Sequence, residues 1–382
     1  MKIKNYYIEL LLVISVFGSV IQYGVYKSSI LFPATFLLTS LLLFLRVNYF
    51  KINKKMIAFL GFITVIFIYS IIASLLQQSY VPIATLGFFC LAAFLFTLQG
   101  FNRVFDLHVF YKLFLFASLV FCILSFMTGF SIYQFRGIYE NPNQLGIFSS
   151  ALFGVYLLIV LDNNSKEKIR YKFFLLTSCF ILLIFLLASN SRTSLISMVA
   201  PLLALGFIYL YKSTRFNKSS LIISKKSVRN FTIFTLALAS LFFLLYYLGY
   251  IDPVINKFEV TSSKGDITSD RSRRWYVALD YINPVDSSQQ QYSSTKAGGV
   301  HNNYLQLALN FGWVGTFLFY IPFLYMLCKS AIEVFRKNNL ASKLCFYLTI
   351  YFMILSLAEV GSAIFVIWLC FISFGYLLSG RD

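Results

Sequence analysis

Long apolar segments recur along the whole of this 382-residue chain, and they constrain its fold more than any other feature. Hydrophobic residues make up 59% of the chain and charged residues only 12%, against roughly 25% charged residues in a soluble domain. A helix needs about 20 mostly apolar residues to cross a bilayer. The composition therefore excludes a soluble enzyme, a disordered chain and a secreted disulfide-rich module. It also disfavours an outer-membrane barrel, whose strands would alternate apolar and polar residues.

The apolar pattern predicts an all-α polytopic membrane protein with about twelve transmembrane helices in a single integral membrane domain, residues 1–382. One connection, 251–311, is long and polar and lies between the ninth and tenth spans. Long ordered loops of this kind commonly carry function. The predicted spans are 6–25, 29–45, 56–76, 81–99, 110–130, 144–161, 171–188, 193–211, 230–250, 312–328, 342–358 and 361–379.

The long loop 251–311 divides into segments of different character. Residues 270–282 are predicted to be helical because Trp275, Leu279 and Ile282 share one helix face. Residues 283–300 have the composition of turns. Residues 301–311 are predicted to form a short helix that leads into the tenth span.

The net charge of +18 follows from membrane topology rather than from binding to nucleic acid. If the N-terminus is cytoplasmic, 23 of the 32 lysines and arginines fall in cytoplasmic segments, as the positive-inside rule requires. Both termini are then cytoplasmic and the loop 251–311 faces outward. The cytoplasmic basic residues should contact anionic membrane lipids, and no nucleic-acid partner is predicted.

Arginine dominates the basic residues of the predicted external face. Its planar guanidinium binds phosphate through two parallel hydrogen bonds. Helix starts, which carry partial positive charge and free N–H groups, are predicted after three external motifs: SIYQFRGIYENPNQ (131–144), SNSRT (189–193) and HNNYLQ (301–306). The pattern indicates a diphosphate site, although any single arginine at a membrane boundary can instead be an interfacial residue. The external arginines are Arg136, Arg192, Arg271, Arg273 and Arg274.

All three motifs contain candidate helix caps, and in SNSRT the candidate is Ser191 or Thr193. Asn141 can cap a helix that has Pro142 at its first position, and Asn302 or Asn303 can cap the helix after His301.

Four motifs resemble, in order, those of the O-antigen polymerase and O-antigen ligase superfamily, over roughly residues 130–330. They are RGIYENPNQLG, SNSRTSL, DRSRRWYVAL and HNNYLQLALNFGWVG. The resemblance implies that His301 is the catalytic base and that arginines bind the donor diphosphate. The arginines that match are Arg136, Arg192 and Arg271, with Arg274 as a further candidate; which of Arg271, Arg273 and Arg274 contacts phosphate stays open. Further substrate-binding candidates are Asn141, Asn143, Asn302 and Tyr304.

The resemblance also implies a glycosyltransferase of the bacterial inner membrane. Its donor and acceptor would be oligosaccharides carried on undecaprenyl diphosphate. Transfer would invert the anomeric carbon, without a metal or other cofactor, on the external face. We favour a Wzy-type polymerase that joins repeat units of O-antigen or capsule, with a chain-length regulator as a further partner. The alternatives are an O-antigen ligase that transfers polysaccharide to lipid A core, and a flippase for lipid-linked oligosaccharides.

Overall fold

The computed structural model describes residues 2–21, 53–131, 134–162, 169–215, 271–295, 298–359 and 364–381, together with isolated positions within 37–41 and 243–259. These residues form helices and no strand. The chain is thus an all-α polytopic membrane protein, as the apolar pattern predicts. The predicted spans 29–45 and 230–250 lie almost wholly outside the described residues.

Each of the other ten predicted spans corresponds to a helix. A π-helical turn, Ile83–Gly87, runs directly into the third helix. The described helices are α1 Lys2–Ile21, α2 Lys54–Leu76, α3 Phe88–Phe101, α4 Leu107–Met127, α5 Pro142–Leu161, α6 Ile169–Ser189, α7 Arg192–Arg215, α8 Arg271–Tyr281, α9 Gln289–Ser294, α10 Asn303–Arg336, α11 Leu340–Leu355 and α12 Ile364–Ser379.

Seven helical stretches of the described chain are long and apolar enough to cross a membrane: Lys54–Leu76, Ile83–Phe101, Leu107–Met127, Pro142–Leu161, Tyr171–Ser189, Arg192–Tyr209 and Asn303–Arg336. Shorter apolar helices occur at Tyr7–Gly18, Leu340–Leu355 and Ile364–Ser379. Large apolar side chains on several helices stay exposed, among them Leu75, Phe116, Phe173 and Phe207. Exposed apolar faces of this extent suit contact with lipid better than contact with water.

Glycines bring α3 and α12 into close contact. A Cβ atom at Gly100 would collide with the backbone oxygen of Ile372, and one at Gly375 would collide with the backbone oxygen of Thr97. Small residues of this kind let membrane helices approach backbone to backbone.

Hydroxyl groups buried between helices are paired with one another. The pairs are Tyr111–Ser373 (2.9 Å), Ser118–Tyr156 (2.9 Å) and Ser150–Tyr351 (2.6 Å). Each pair joins two different helices, so these polar groups help to fix the bundle without remaining unsatisfied in an apolar interior.

One end of the bundle collects residues that are all predicted to be cytoplasmic. A buried ion pair joins Lys343 Nζ to Asp162 Oδ1 at 3.0 Å. The Tyr209 hydroxyl donates to Asn338 Oδ1 at 2.6 Å, and Arg381 donates to the backbone oxygen of Phe105 at 2.8 Å. These contacts agree with the predicted placement of the segments on one common side. The absolute orientation stays a prediction from the charge distribution.

The helix α10 is broken at Gly312, where φ is 70° and ψ is 175°. This conformation is essentially confined to glycine. The break lets the backbone oxygens of Asn283 and Pro284 accept hydrogen bonds from the N–H groups of Trp313 (3.2 Å) and Val314 (3.0 Å). The loop thereby caps the second half of α10. The predicted short helix before the tenth span is confirmed, and Gly312 is the joint between the two parts.

The long loop is more ordered than its composition indicates. The predicted helix 270–282 is confirmed as α8, but the stretch predicted as turns, 283–300, also contains the short helix α9. The prediction missed α9 because its serines and glutamines resemble a polar linker. Tyr292 anchors it: the ring is buried in a small cluster with Ala278, Leu305 and Leu309.

Replacing Gly312 by alanine should destabilise the protein. The backbone conformation would be strained by about 1–3 kcal/mol, and the new Cβ would collide with the backbone oxygen of Pro284. Thermal unfolding of the detergent-purified variant measures the effect. Gly61→Ala is the matched control, because a Cβ at this helical position meets open space and alanine favours a helix by about 0.5–1 kcal/mol. Equal melting temperatures for both variants would contradict the proposed joint.

Candidate active site

Helix starts meet at the end of the bundle opposite to Lys343. Helix α5 begins after Asn141, whose side chain accepts the N–H of Asn143 at 2.9 Å. Helix α10 begins after Asn302, whose side chain accepts the N–H of Leu305 at 3.1 Å. Both predicted caps are confirmed. Helix α7 also starts here, with Arg192 as its first residue, and Arg271 is the first described residue of α8.

A short turn precedes α7. The hydroxyl groups of Ser191 and Ser194 are 2.7 Å apart, and both serines are buried. A Cβ at Gly146, in the first turns of α5, would come within 2.5 Å of the Ser191 side chain. The start of α5 is thus packed directly against the SNSRT turn. This contact fixes the backbone position of Ser191 and therefore of its neighbour Arg192.

Arg271 is held by two contacts to the turn that follows α11. Its Nη1 donates to the backbone oxygen of Ala358 at 2.7 Å, and its Nη2 lies 3.4 Å from Glu359 Oε1. The same oxygen of Glu359 accepts a hydrogen bond from Asn143 Nδ2 at 3.2 Å. A single carboxylate therefore connects the starts of α5 and α8.

Arg192 lies near enough to Arg271 for the two positive charges to repel each other. The Arg192 side chain is half-buried. Repulsion between arginines in a partly desolvated setting is relieved by an anion, and the neighbouring starts of α5 and α7 add partial positive charge. Both arginines lie at this end of the bundle, and their binding of one diphosphate stays a prediction.

Residues 298–300, here called the strap, cross α8 just before His301. Successive backbone oxygens of the strap each accept one side-chain hydrogen bond. Gly298 accepts from the Tyr292 hydroxyl (2.8 Å), Gly299 from Arg274 Nη1 (3.2 Å) and Val300 from Trp275 Nε1 (2.9 Å). Arg274 is therefore partly committed to holding the strap, while Arg271 faces the turn after α11.

His301 follows the strap in a left-handed conformation, with φ at 50°. Histidine is among the residues that tolerate this region. Its side chain is exposed, and an added Cβ at Gly299 would lie 3.6 Å from its Nε2 atom. Although the side chain is exposed, neighbouring atoms still remove part of its hydration. This desolvation, together with the positive charges of Arg271 and Arg274, lowers the pKa of His301 below its ordinary value. At neutral pH the imidazole is therefore mainly neutral and able to accept a proton.

The residues after His301 anchor the start of α10. The Asn303 N–H donates to the backbone oxygen of Ser356 at 2.7 Å, and the Tyr304 hydroxyl donates to that of Met353 at 3.0 Å. The Tyr304 ring also stacks on Tyr320, with centroids 4.2 Å apart. In these contacts Tyr304 supports the helix, and direct contact of Asn302 or Tyr304 with substrate stays a prediction.

Arg136 lies at the same end of the bundle but is not brought together with the other arginines. Its side chain is exposed, and the described contacts place it against neither Arg192 nor Arg271. The loop around it is nevertheless tied to the site, because the Phe135 N–H donates to the backbone oxygen of Ala188 at 2.9 Å. Contact of Arg136 with the donor diphosphate stays a prediction.

Glu359 was not among the residues that the motifs single out. It lies far along the chain from all four motifs and follows a predicted span. The one signal that could have found it is an acidic residue at the external end of that span. Among the described residues, no group of three histidine, cysteine or acidic side chains is arranged to hold a metal ion.

The family model described as O-antigen ligase matches residues 177–320. The matched interval contains Arg192, Arg271, Arg274 and His301, together with the strap. Arg136 precedes this interval and Glu359 follows it. No curated protein matches the chain. The family match and the order of the motifs agree, and together they support the similarity of residues 177–320 to the O-antigen polymerase and ligase superfamily.

Proposed function

We propose that the protein is a membrane glycosyltransferase that polymerises oligosaccharide repeat units carried on undecaprenyl diphosphate. The observation that carries this proposal is the placement of Arg192 at the start of α7 and of Arg271 on α8, the helix whose Arg274 holds the strap that leads to His301. A site at the end of a membrane bundle suits a donor whose lipid lies in the bilayer and whose sugar lies outside it. We place this end on the external face of the bacterial inner membrane.

The arginines stabilise the leaving group in this mechanism. When the glycosidic bond to the diphosphate breaks, negative charge develops on the phosphate oxygen. Guanidinium groups that are already positioned favour that charge more in the transition state than in the ground state. The starts of α5 and α7, which pack against each other, add their partial positive charge. Arg192 and Arg271 thus supply the charge stabilisation from this chain's own residues.

His301 is the base in this mechanism. A neutral imidazole nitrogen accepts the proton of the acceptor hydroxyl as the hydroxyl oxygen attacks the anomeric carbon. The new carbon–oxygen bond forms on the face opposite to the diphosphate, so the configuration inverts. The products are the extended glycan and undecaprenyl diphosphate, and the proton on His301 is then released to water.

The polymerase proposal is tested by deleting the gene and analysing the surface polysaccharide on gels. Loss of a polymerase leaves a single repeat unit on the final acceptor. Loss of a ligase leaves long chains on the lipid carrier, and loss of a flippase leaves single units on the carrier at the cytoplasmic face. Either of the last two patterns would contradict the polymerase.

Arg192→Lys and Arg271→Lys should each lower polymer formation by about 10²–10³-fold, because lysine keeps the charge but loses the planar fork. The assay uses purified protein and lipid-linked repeat units, normalised to folded protein. Arg336→Lys, the same substitution on an exposed residue at the far end of α10, is the matched control and should keep its activity. Near-normal polymer from both site variants would contradict the diphosphate clamp.

His301→Gln should be as inactive as His301→Ala in the same assay, because glutamine offers a polar group of similar reach but no base. A histidine that only supports the loop predicts something different: glutamine would restore activity and alanine would lower the yield of folded protein. Full activity of the glutamine variant would remove His301 from the mechanism.

The pH profile gives a second measurement on His301. Since burial and two arginines lower its pKa, the neutral base persists below the ordinary histidine value of about 6.5. The acid limb of kcat/KM should therefore have its midpoint below pH 6.5, with activity lost as the pH falls through that midpoint. An acid limb centred above pH 7 would show that a different group is the base.

A further inference from the structure

Glu359 occupies an unusual place for a carboxylate, inside a cluster of arginines that is proposed to bind an anion. Only 9% of its side chain is exposed, and it forms the ion pair with Arg271. A negative charge here weakens the attraction for a diphosphate. Its presence therefore calls for a function other than binding the donor.

The turn Ser356–Glu359 touches three of the helices that build the site. Ser356 accepts the N–H of Asn303 from the start of α10 (2.7 Å), and Ala358 accepts Nη1 of Arg271 from the start of α8 (2.7 Å). Glu359 itself accepts from Asn143, at the start of α5, and from Arg271. These contacts fix the start of α5, helix α8 and the start of α10 relative to one another.

The Arg271 guanidinium can be held by the turn after α11 and still bind an anion with its remaining N–H groups. Two of its nitrogens are directed at Ala358 and Glu359. A guanidinium has five N–H donors in a rigid plane, so a group held along one edge keeps donors for a phosphate on another. The two contacts fix the plane of that group, and hence the direction in which the remaining donors point.

We propose that Glu359 is a positioning residue for the transfer reaction: it orients the Arg271 guanidinium and the Asn143 amide toward the donor diphosphate. The proposal rests on the proposed function. It assigns a role to a residue outside the family match at 177–320, and it makes the turn after α11 part of the active site.

Glu359→Gln separates this role from a purely structural one. The amide keeps an oxygen for hydrogen bonding but loses the charge that holds Arg271. Binding of undecaprenyl diphosphate should stay equal or become tighter, because a repelling charge is gone, while kcat should fall by up to about 10²-fold as Arg271 loses its alignment. The melting temperature should change little.

The experiment uses the full-length protein in lipid nanodiscs. It measures undecaprenyl diphosphate binding, kcat with lipid-linked repeat units, and thermal unfolding. Four proteins are compared with the wild type: Glu359→Gln, Arg271→Lys, their double variant and Glu333→Gln. Glu333 is the matched control, because it is also a largely buried carboxylate, paired with Lys329 at 3.1 Å, in the distant part of α10. This control should keep its kcat.

The double variant supplies the decisive measurement. If Glu359 acts through Arg271, Glu359→Gln has little further effect once Arg271 is lysine, so the two effects are strongly non-additive. Independent, multiplying effects would overturn the proposal. So would a parallel loss of binding, kcat and melting temperature in Glu359→Gln, which is the pattern of a structural role.

Two further outcomes separate this proposal from the proposed function. If the wild type forms polymer and Glu359→Gln forms it at the same rate, the positioning role is wrong and the proposed function stands. If the wild type transfers no sugar from lipid-linked repeat units, the proposed function fails and the positioning role fails with it.

Discussion

The unsatisfied backbone N–H and C=O groups at helix ends determine where in this bundle a polar site can lie. The first N–H groups of a helix have no partner inside the helix, and in a bilayer they cannot be left without one. The helix ends therefore meet at the two ends of the bundle, and each end satisfies its polar groups differently. One end uses ion pairs such as Lys343–Asp162 and backbone contacts from Arg381. The other uses Asn141 and Asn302 as caps and has Arg192 at the start of α7 and Arg271 on α8. The second end is the one suited to an anion.

Local signals made much of this architecture predictable. The Asn-Pro pair at 141–142 marks a helix start, the Asn-Asn pair after His301 marks another, and Trp275 and Leu279 mark the amphipathic face of α8. Each of these signals depends on residues within about one or two helical turns. The placement of Arg192 and Arg271 at the same end of the bundle could be anticipated only because both were assigned to the same side of the membrane.

Contacts between distant segments were not predictable in the same way. Glu359 meets Asn143 across 216 positions of sequence and meets Arg271 across 88. No periodicity or spacing encodes either contact. Helix α9 was missed for a related reason, since the burial of Tyr292 depends on Leu305 and Leu309 from another helix. The separate duties of Arg271 and Arg274 likewise became visible only once the strap and the turn after α11 were placed.

The strap on α8 has a consequence for how the site can vary. Arg271 stands at the start of α8, and Arg274 and Trp275, one turn later, hold the backbone that leads to His301. One rigid helix thus carries Arg271, which we propose binds the diphosphate, and, through the strap, fixes the backbone before His301, the proposed base. The spacing between them is set by a helical turn of about 5.4 Å, and one inserted residue between Arg271 and Arg274 would rotate them apart by about 100°. Surfaces around α8 can therefore vary in sequence, whereas the length of that turn has to be preserved.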